Sequence, residues 1–189
     1  MVEQITKSKK NIKKKFFDVE IPLTSAKASL YGAEPEEFNG RIINIDLTKS
    51  LRGKNVEYRL RVKNNGRELT GEPISLAVAG SYIRRSIRKG TDYVEDSFIA
   101  ECRDGKVIVK PFLITRKRVS RAIRKSLREN TRKFLEGHLK ARSTEEVMKD
   151  IMTNKIQKEL SLKLKKVYPL AFCEIRHFEV LKEEKQLNN

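Results

Sequence analysis

From Val56 to Lys63 apolar and charged residues alternate without interruption, with Val56, Tyr58, Leu60 and Val62 on one side and Glu57, Arg59, Arg61 and Lys63 on the other. A period of two marks a half-buried strand, and Asn64-Asn65-Gly66 supplies the residues that accept positive φ in a tight hairpin turn. Phe17, Val19 and Ile21 alternate with Asp18 and Glu20 until Pro22 stops the pattern. Ile43, Ile45 and Leu47 set against Asn44 and Asp46 predict a further strand over 41–47. Residues 23–40 show no period and read as loop. A second hairpin is signalled by Asp104-Gly105 between strands over 97–103 and 106–115, where Phe98, Ala100 and Cys102 flank one side and Val107 and Val109 the other. Pro111 has no amide to give a ladder, so it belongs at a sheet edge or a bulge.

Elsewhere the period lengthens. Tyr82, Ile83, Ser86 and Ile87 have helical spacing over a short piece that ends at Gly90. A long helix is expected from about Lys117 to Leu135. A second starts at Ser143, which forms a capping box with Glu146, and carries the stripe Val147, Met148, Ile151, Met152, Ile156, Leu160 and Leu164 up to Tyr168-Pro169. Residues 172–181 read as a last strand with weaker alternation. Strands, then helices, then a closing strand argue an α+β fold, with a mostly antiparallel sheet curling toward a barrel, two long helices and one short. Residues 1–15 are expected to be a flexible basic arm, 16–182 one domain and 183–189 a frayed tail.

Charge changes the picture. The 189 residues hold 42 Lys and Arg against 25 Asp and Glu, a net +17, and only 38% of them are hydrophobic. The core must be lean and the surface strongly basic. The longest uncharged run, 73–83, is far short of the roughly 18–20 residues that span a bilayer, and no apolar stretch follows the N-terminal lysines as a secretory signal would require. Cys102 and Cys173 lie far apart and outside any C-x-x-C pair, which excludes a zinc finger or ribbon and favours free thiols in a reducing, cytoplasmic setting over a single disulfide.

The stretch 105–128 contains nine cations and no acid. On a helix, Val119, Ala122, Ile123 and Leu127 would share one side, with Lys117, Arg118, Arg121, Arg124, Lys125 and Arg128 roughly opposite. A solvated face would interleave Glu with Lys. A stripe of one sign costs a few tenths of a kcal/mol per i, i+4 pair unless an external polyanion absorbs it. Arg84, Arg85, Arg88 and Lys89 form a second cluster, and Lys9, Lys10, Lys13, Lys14 and Lys15 a third. Arginine prevails in the two helical clusters, and its planar fork suits phosphate oxygens. With aromatic residues at 7% and no tryptophan, phosphate and shape contacts are expected to outweigh base stacking. Membrane-surface binding is disfavoured because the apolar stripes are needed for the core and lack interfacial tryptophan.

Catalysis has a weaker case. His138 and His177 are the only histidines, and no phosphate loop or H-E-x-x-H pair exists. Asp92, Glu95 and Asp96 could hold magnesium in an RNA-processing nuclease, but three acids beside a basic helix more often balance charge. Tyr82 and Tyr168 are read as core residues in preference to base-stacking ones. The expectation is a non-enzyme without metal or cofactor.

The segments Pro35-Glu36-Glu37-Phe38-Asn39-Gly40-Arg41, Ser81-Tyr82-Ile83-Arg84-Arg85-Ser86-Ile87-Arg88-Lys89, Ile114-Thr115-Arg116-Lys117-Arg118, Arg121-Ala122-Ile123-Arg124-Lys125 and Tyr168-Pro169-Leu170, in that order, resemble the small-ribosomal-subunit protein family of archaea and eukaryotes called S-three-a-e or e-S-one. The compact length is more similar to the archaeal form. The resemblance implies a structural ribonucleoprotein component that supports translation. It would bind small-subunit ribosomal RNA near the messenger RNA exit, with neighbouring ribosomal proteins and initiation factors as partners. It further implies RNA contacts at Arg84, Arg85, Arg88 and Lys89, and along the stretch from Arg116 to Lys125.

Overall fold

The computed structural model describes residues 13–24, 27–51, 53–66 and 68–181. Its strands are β1 (Lys15–Glu20), β2 (Lys27–Gly32), β3 (Ile42–Asp46), β4 (Val56–Asn64), β5 (Leu69–Val78), β6 (Tyr93–Glu95), β7 (Phe98–Cys102), β8 (Gly105–Thr115) and β9 (Leu170–Leu181). The helices are α1 (Gly80–Ser86), α2 (Arg121–Lys140), α3 (Thr144–Met152) and α4 (Lys155–Leu164), with a 3-10 turn at Pro35–Phe38. Lys9, Lys10, most of the expected arm and the expected tail lie outside the described residues.

Hydrogen-bonded neighbours run β2-β1-β5-β9-β8-β6, with β7 also on β8 and β3-β4 joined to β5. The two ends of this order do not pair, so the sheet is open and the expected curl into a barrel is not found. The ladders β1–β2, β5–β9, β6–β8, β7–β8 and β8–β9 are antiparallel; β1 and β5 pair in parallel at Val19↔Leu69. The alternation at β4 is matched by its burial, every apolar position inward and the charged ones outward or half-buried. Gly66 adopts φ 84° in the turn that follows, where its amide donates to Asn64 Oδ1 at 2.9 Å.

Contacts cluster in two units, the described residues of 1–42 and 61–72, and those of 43–60 and 73–181. In the first, the stretch expected to be loop holds β2 and the 3-10 turn. Its strand has no hydrophobic period, because Lys27, Ser29 and Tyr31 face solvent while only Gly32 is fully buried. Phe38 packs against Phe17, ring centroids 5.7 Å apart, and lies so close to Gly32 that a Cβ there would come 2.4 Å from its ring. Gly32→Ala is expected to cost about 1–3 kcal/mol through overpacking, read as a lower urea midpoint at unchanged slope.

In the second unit α2 and α4 lie on one face of the sheet. Leu127, Leu160 and Leu164 close over Val94 and Leu113. The long helix starts at Arg121, not at Lys117, because Ser120 takes the N-cap and accepts from the Ile123 amide. The expected second long helix is two. Asn154 sits at φ 59° between α3 and α4, and its Oδ1 accepts from Lys54 Nζ at 2.7 Å. Lys54 is 6% exposed and also meets Glu174 Oε2 at 2.6 Å, so a buried cation is met by an acceptor at the helix break. The capping box at Ser143 and Glu146 is present as expected.

Register between β8 and β9 slips twice. Lys110 pairs with His177 but Pro111 with Ile175, and Ile114 pairs with Phe172 but Thr115 with Leu170. Arg176 and Ala171 are thus extra residues in β9, two bulges. Pro111 lies at the first of them, in an interior strand, where the interrupted ladder asks for no amide from it.

Candidate nucleic-acid interface

Lys13, Lys14 and Lys15 are exposed. The Lys14 ammonium stands 5.8 Å from the Tyr31 ring centroid. In the second unit the two arginine-bearing motifs meet. Arg85, Ser86 and Arg88 around the end of α1, Thr91, Ile114 and Arg116 at the end of β8, and Ala171 and Phe172 of β9 line one cleft of about 450 Å³. Arg84, Arg85, Arg88, Lys89 and Arg116 are all exposed. Tyr82 braces α1 from below, its ring 6.0 Å from that of Phe172 and under the Arg85 guanidinium. Burial first and the Glu174 carboxylate second raise its phenol above the usual range, while Arg85 pulls the other way.

The segment between β8 and α2 is not helical, so Lys117 and Arg118 leave the stripe and stand exposed on a loop. That loop is fixed by Asp92. The Asp92 carbonyl accepts from the Thr115 amide at 2.9 Å, and its carboxylate accepts from the Val119 amide at 2.9 Å. The inward side of α2 is Leu127, Thr131, Leu135 and Leu139, with Ile123 partly buried, whereas Ala122 is exposed and Val119 precedes the helix.

Arg121, Arg124, Lys125 and Arg128 project from the first two turns of α2 and, with Tyr93, line a cleft of about 280 Å³. Arg128 Nε donates to the Glu95 carbonyl at 3.3 Å and also borders a neighbouring cleft with Glu95, Asp96, Ser97, Lys110, Pro111 and Arg176. The bulge turns Arg176 toward Glu95, 3.4 Å away. Tyr93 and Arg176 were not legible as site residues: one sits in a three-residue strand, the other outside the period of its own strand.

The three acids considered for magnesium are otherwise engaged. Asp92 holds the loop, Glu95 meets Arg176, and Asp96 accepts from the Ser97 amide at 2.9 Å. Among the described residues no three His, Cys, Asp or Glu side chains gather in a way that could hold a metal ion. His138 is partly buried beside Phe134, and His177 faces Glu179 at 3.1 Å. Both cysteines are free thiols. Burial first, then Asp104, pushes Cys102 up to about 11; burial first, then Glu174, pushes Cys173 up to about 12, against the pull of Lys54. Among the described residues no helix is long and apolar enough to cross a membrane.

An open, mostly antiparallel sheet backed by helices, with two clefts walled by basic side chains, defines a basic α+β protein that displays clustered cations. The sequence profile of the ribosomal S3Ae family matches residues 3–184, and the chain belongs to that family of structural, non-enzymatic ribosomal proteins. It is 32% identical over 140 residues to the small ribosomal subunit protein eS1 of Methanothermobacter thermautotrophicus, covering 73% of this chain and 72% of that one. To the small ribosomal subunit protein eS1 of Nanoarchaeum equitans it is 27% identical over 159 residues, 82% and 80% of the two chains.

Proposed function

We propose that the chain is a structural component of the small ribosomal subunit that binds ribosomal RNA, with Arg84, Arg85, Arg88, Lys89, Arg116, Lys117, Arg118, Arg121, Arg124, Lys125 and Arg128 on phosphates and the N-terminal lysines as an added contact. Its neighbours are other proteins of the subunit, and its place in the cytoplasm is near the messenger RNA exit and the initiation machinery. The observation that carries the reading is the cleft where Arg85, Arg88 and Arg116, from motifs distant in sequence, come together with no carboxylate lining it among the described residues. Convergent unpaired guanidinium groups repel one another until an anion bridges them.

Purified protein titrated with small-subunit RNA at several salt concentrations tests this. Contact with about six to eight phosphates gives a log–log slope of about −5 to −7. Replacing Arg121, Arg124 and Lys125 together with Gln should flatten the slope by about two to three; an unchanged slope removes α2 from the binding face. Co-sedimentation with the small subunit in a sucrose gradient is the matching result in a lysate.

A further inference from the structure

Tyr93 is 53% exposed, unusual for a large aromatic ring next to a core, and its surroundings explain how it is held. β6 is the end strand of the sheet, with Val94 turned inward and Tyr93 and Glu95 outward. Tyr93 pairs with Ile114, which makes Phe112 its diagonal neighbour on the same side of the β6–β8 ladder. The two rings are stacked, 23° from parallel and 5.9 Å between centroids. Phe112 is fully buried, so the tyrosine is backed on one side by a ring that cannot move, and its own exposure comes from the other.

Among the described residues, the cleft that Tyr93 lines is lined otherwise by Arg121, Arg124, Lys125 and Arg128. Within it the Arg124 Nε is shielded from solvent and has no hydrogen-bond partner. A buried donor without an acceptor costs free energy, of the order of 1–3 kcal/mol, and the Nε gains an acceptor only when the Arg124 side chain shifts toward an incoming phosphate oxygen. Lys125 faces Glu129 only at 3.9 Å, with both side chains largely exposed, so its charge stays available. An exposed aromatic ring and four cations line the same cleft, the pairing used to hold single-stranded nucleic acid, where a base stacks and its phosphates are neutralised. A duplex hides its base faces and could use the cations but not the ring.

We infer that Tyr93 is a stacking platform for one unpaired nucleotide of RNA, whose flanking phosphates lie on Arg121, Arg124, Lys125 and Arg128. This rests on the RNA-binding reading above and adds to it that the strand is unpaired at this point. It also departs from the expectation that phosphate and shape contacts outweigh stacking.

The test uses a nine-nucleotide single-stranded RNA with a central 2-aminopurine, and the same strand with an abasic central position. On the unaltered protein, the fluorescent base should be quenched on binding, and the abasic strand should bind about five- to tenfold more weakly, the lower part of the range for one base on one aromatic ring. Tyr93→Leu should abolish the quench and bind both strands alike, while Tyr93→Phe should retain quench and preference. The abasic comparison needs no variant, so a misfolded Tyr93→Leu would not decide the matter. Equal affinity of the unaltered protein for the two strands, or an undiminished quench with Tyr93→Leu, overturns the stacking site. If stacking fails while the Arg121, Arg124 and Lys125 substitutions still flatten the salt slope, the phosphate reading survives alone; if no RNA is bound, both fall.

Discussion

Glu174→Gln will unfold at a markedly lower urea concentration, with a loss of about 3–5 kcal/mol. The substitution keeps volume and hydrogen-bonding capacity but removes the charge that faces Lys54 at 2.6 Å, both side chains being nearly buried. Lys54 is then left with neutral amide oxygens alone, that of Asn154 and that of the substituted side chain, and an uncompensated ammonium in a low dielectric is the expensive outcome. Gln157 Nε2, 3.3 Å from the same carboxylate, loses part of its acceptor as well. The double variant Lys54→Met with Glu174→Leu should recover most of the loss, since replacing a whole buried pair by apolar groups is often neutral. If the single variant unfolds within about 1 kcal/mol of the parent, the pair does not hold the α3–α4 break in place.

Leu127→Ala is expected to cost about 2–5 kcal/mol by the same measurement. Its side chain is fully buried among Val94, Leu113, Leu160 and Leu164, where sheet, α2 and α4 meet. Arg128→Ala, one position on, removes an exposed side chain whose contact is a 3.3 Å bond to the Glu95 carbonyl; it should change stability by no more than about 0.5 kcal/mol. The two neighbours thus separate folding from binding. A loss of stability at Arg128 matching that at Leu127 would mean the cationic side of α2 carries the fold.

Where one side of an element is buried and the other wet, its period was readable. β4, the Asp104-Gly105 hairpin and the Ser143 capping box all follow from residues within ten positions of one another, and so does the cationic content of α2. What could not be read depends on distant partners. β2 buries little beyond a glycine beneath Phe38, and a glycine carries no hydrophobic signal. The break at Asn154 depends on Lys54, a hundred residues away, while the stripe from Val147 to Leu164 continues across it as if one helix ran through. The charge pattern starts α2 four residues early, since Lys117 and Arg118 extend it, whereas the backbone there is held by Asp92. Arg85, Arg88 and Arg116 are legible as cations, but not as the walls of one cleft, since the tertiary fold brings them together.

The weak alternation of β9 has a cause and a consequence. Its positions matched to Thr115, Leu113, Pro111, Val109 and Val107 are Leu170, Cys173, Ile175, Phe178 and Val180, spaced three, two, three and two. Each unmatched residue reverses the parity of everything after it, and the second restores what the first upset. Loss of Ala171 or Arg176 would let β9 pair residue for residue with β8 at that point and keep the matched residues on their faces, but would take a lining residue from the cleft beside α1 or from the one beside Glu95. The two extra residues thus leave the buried face of β9 unchanged while setting one side chain each into the lining of a surface cleft.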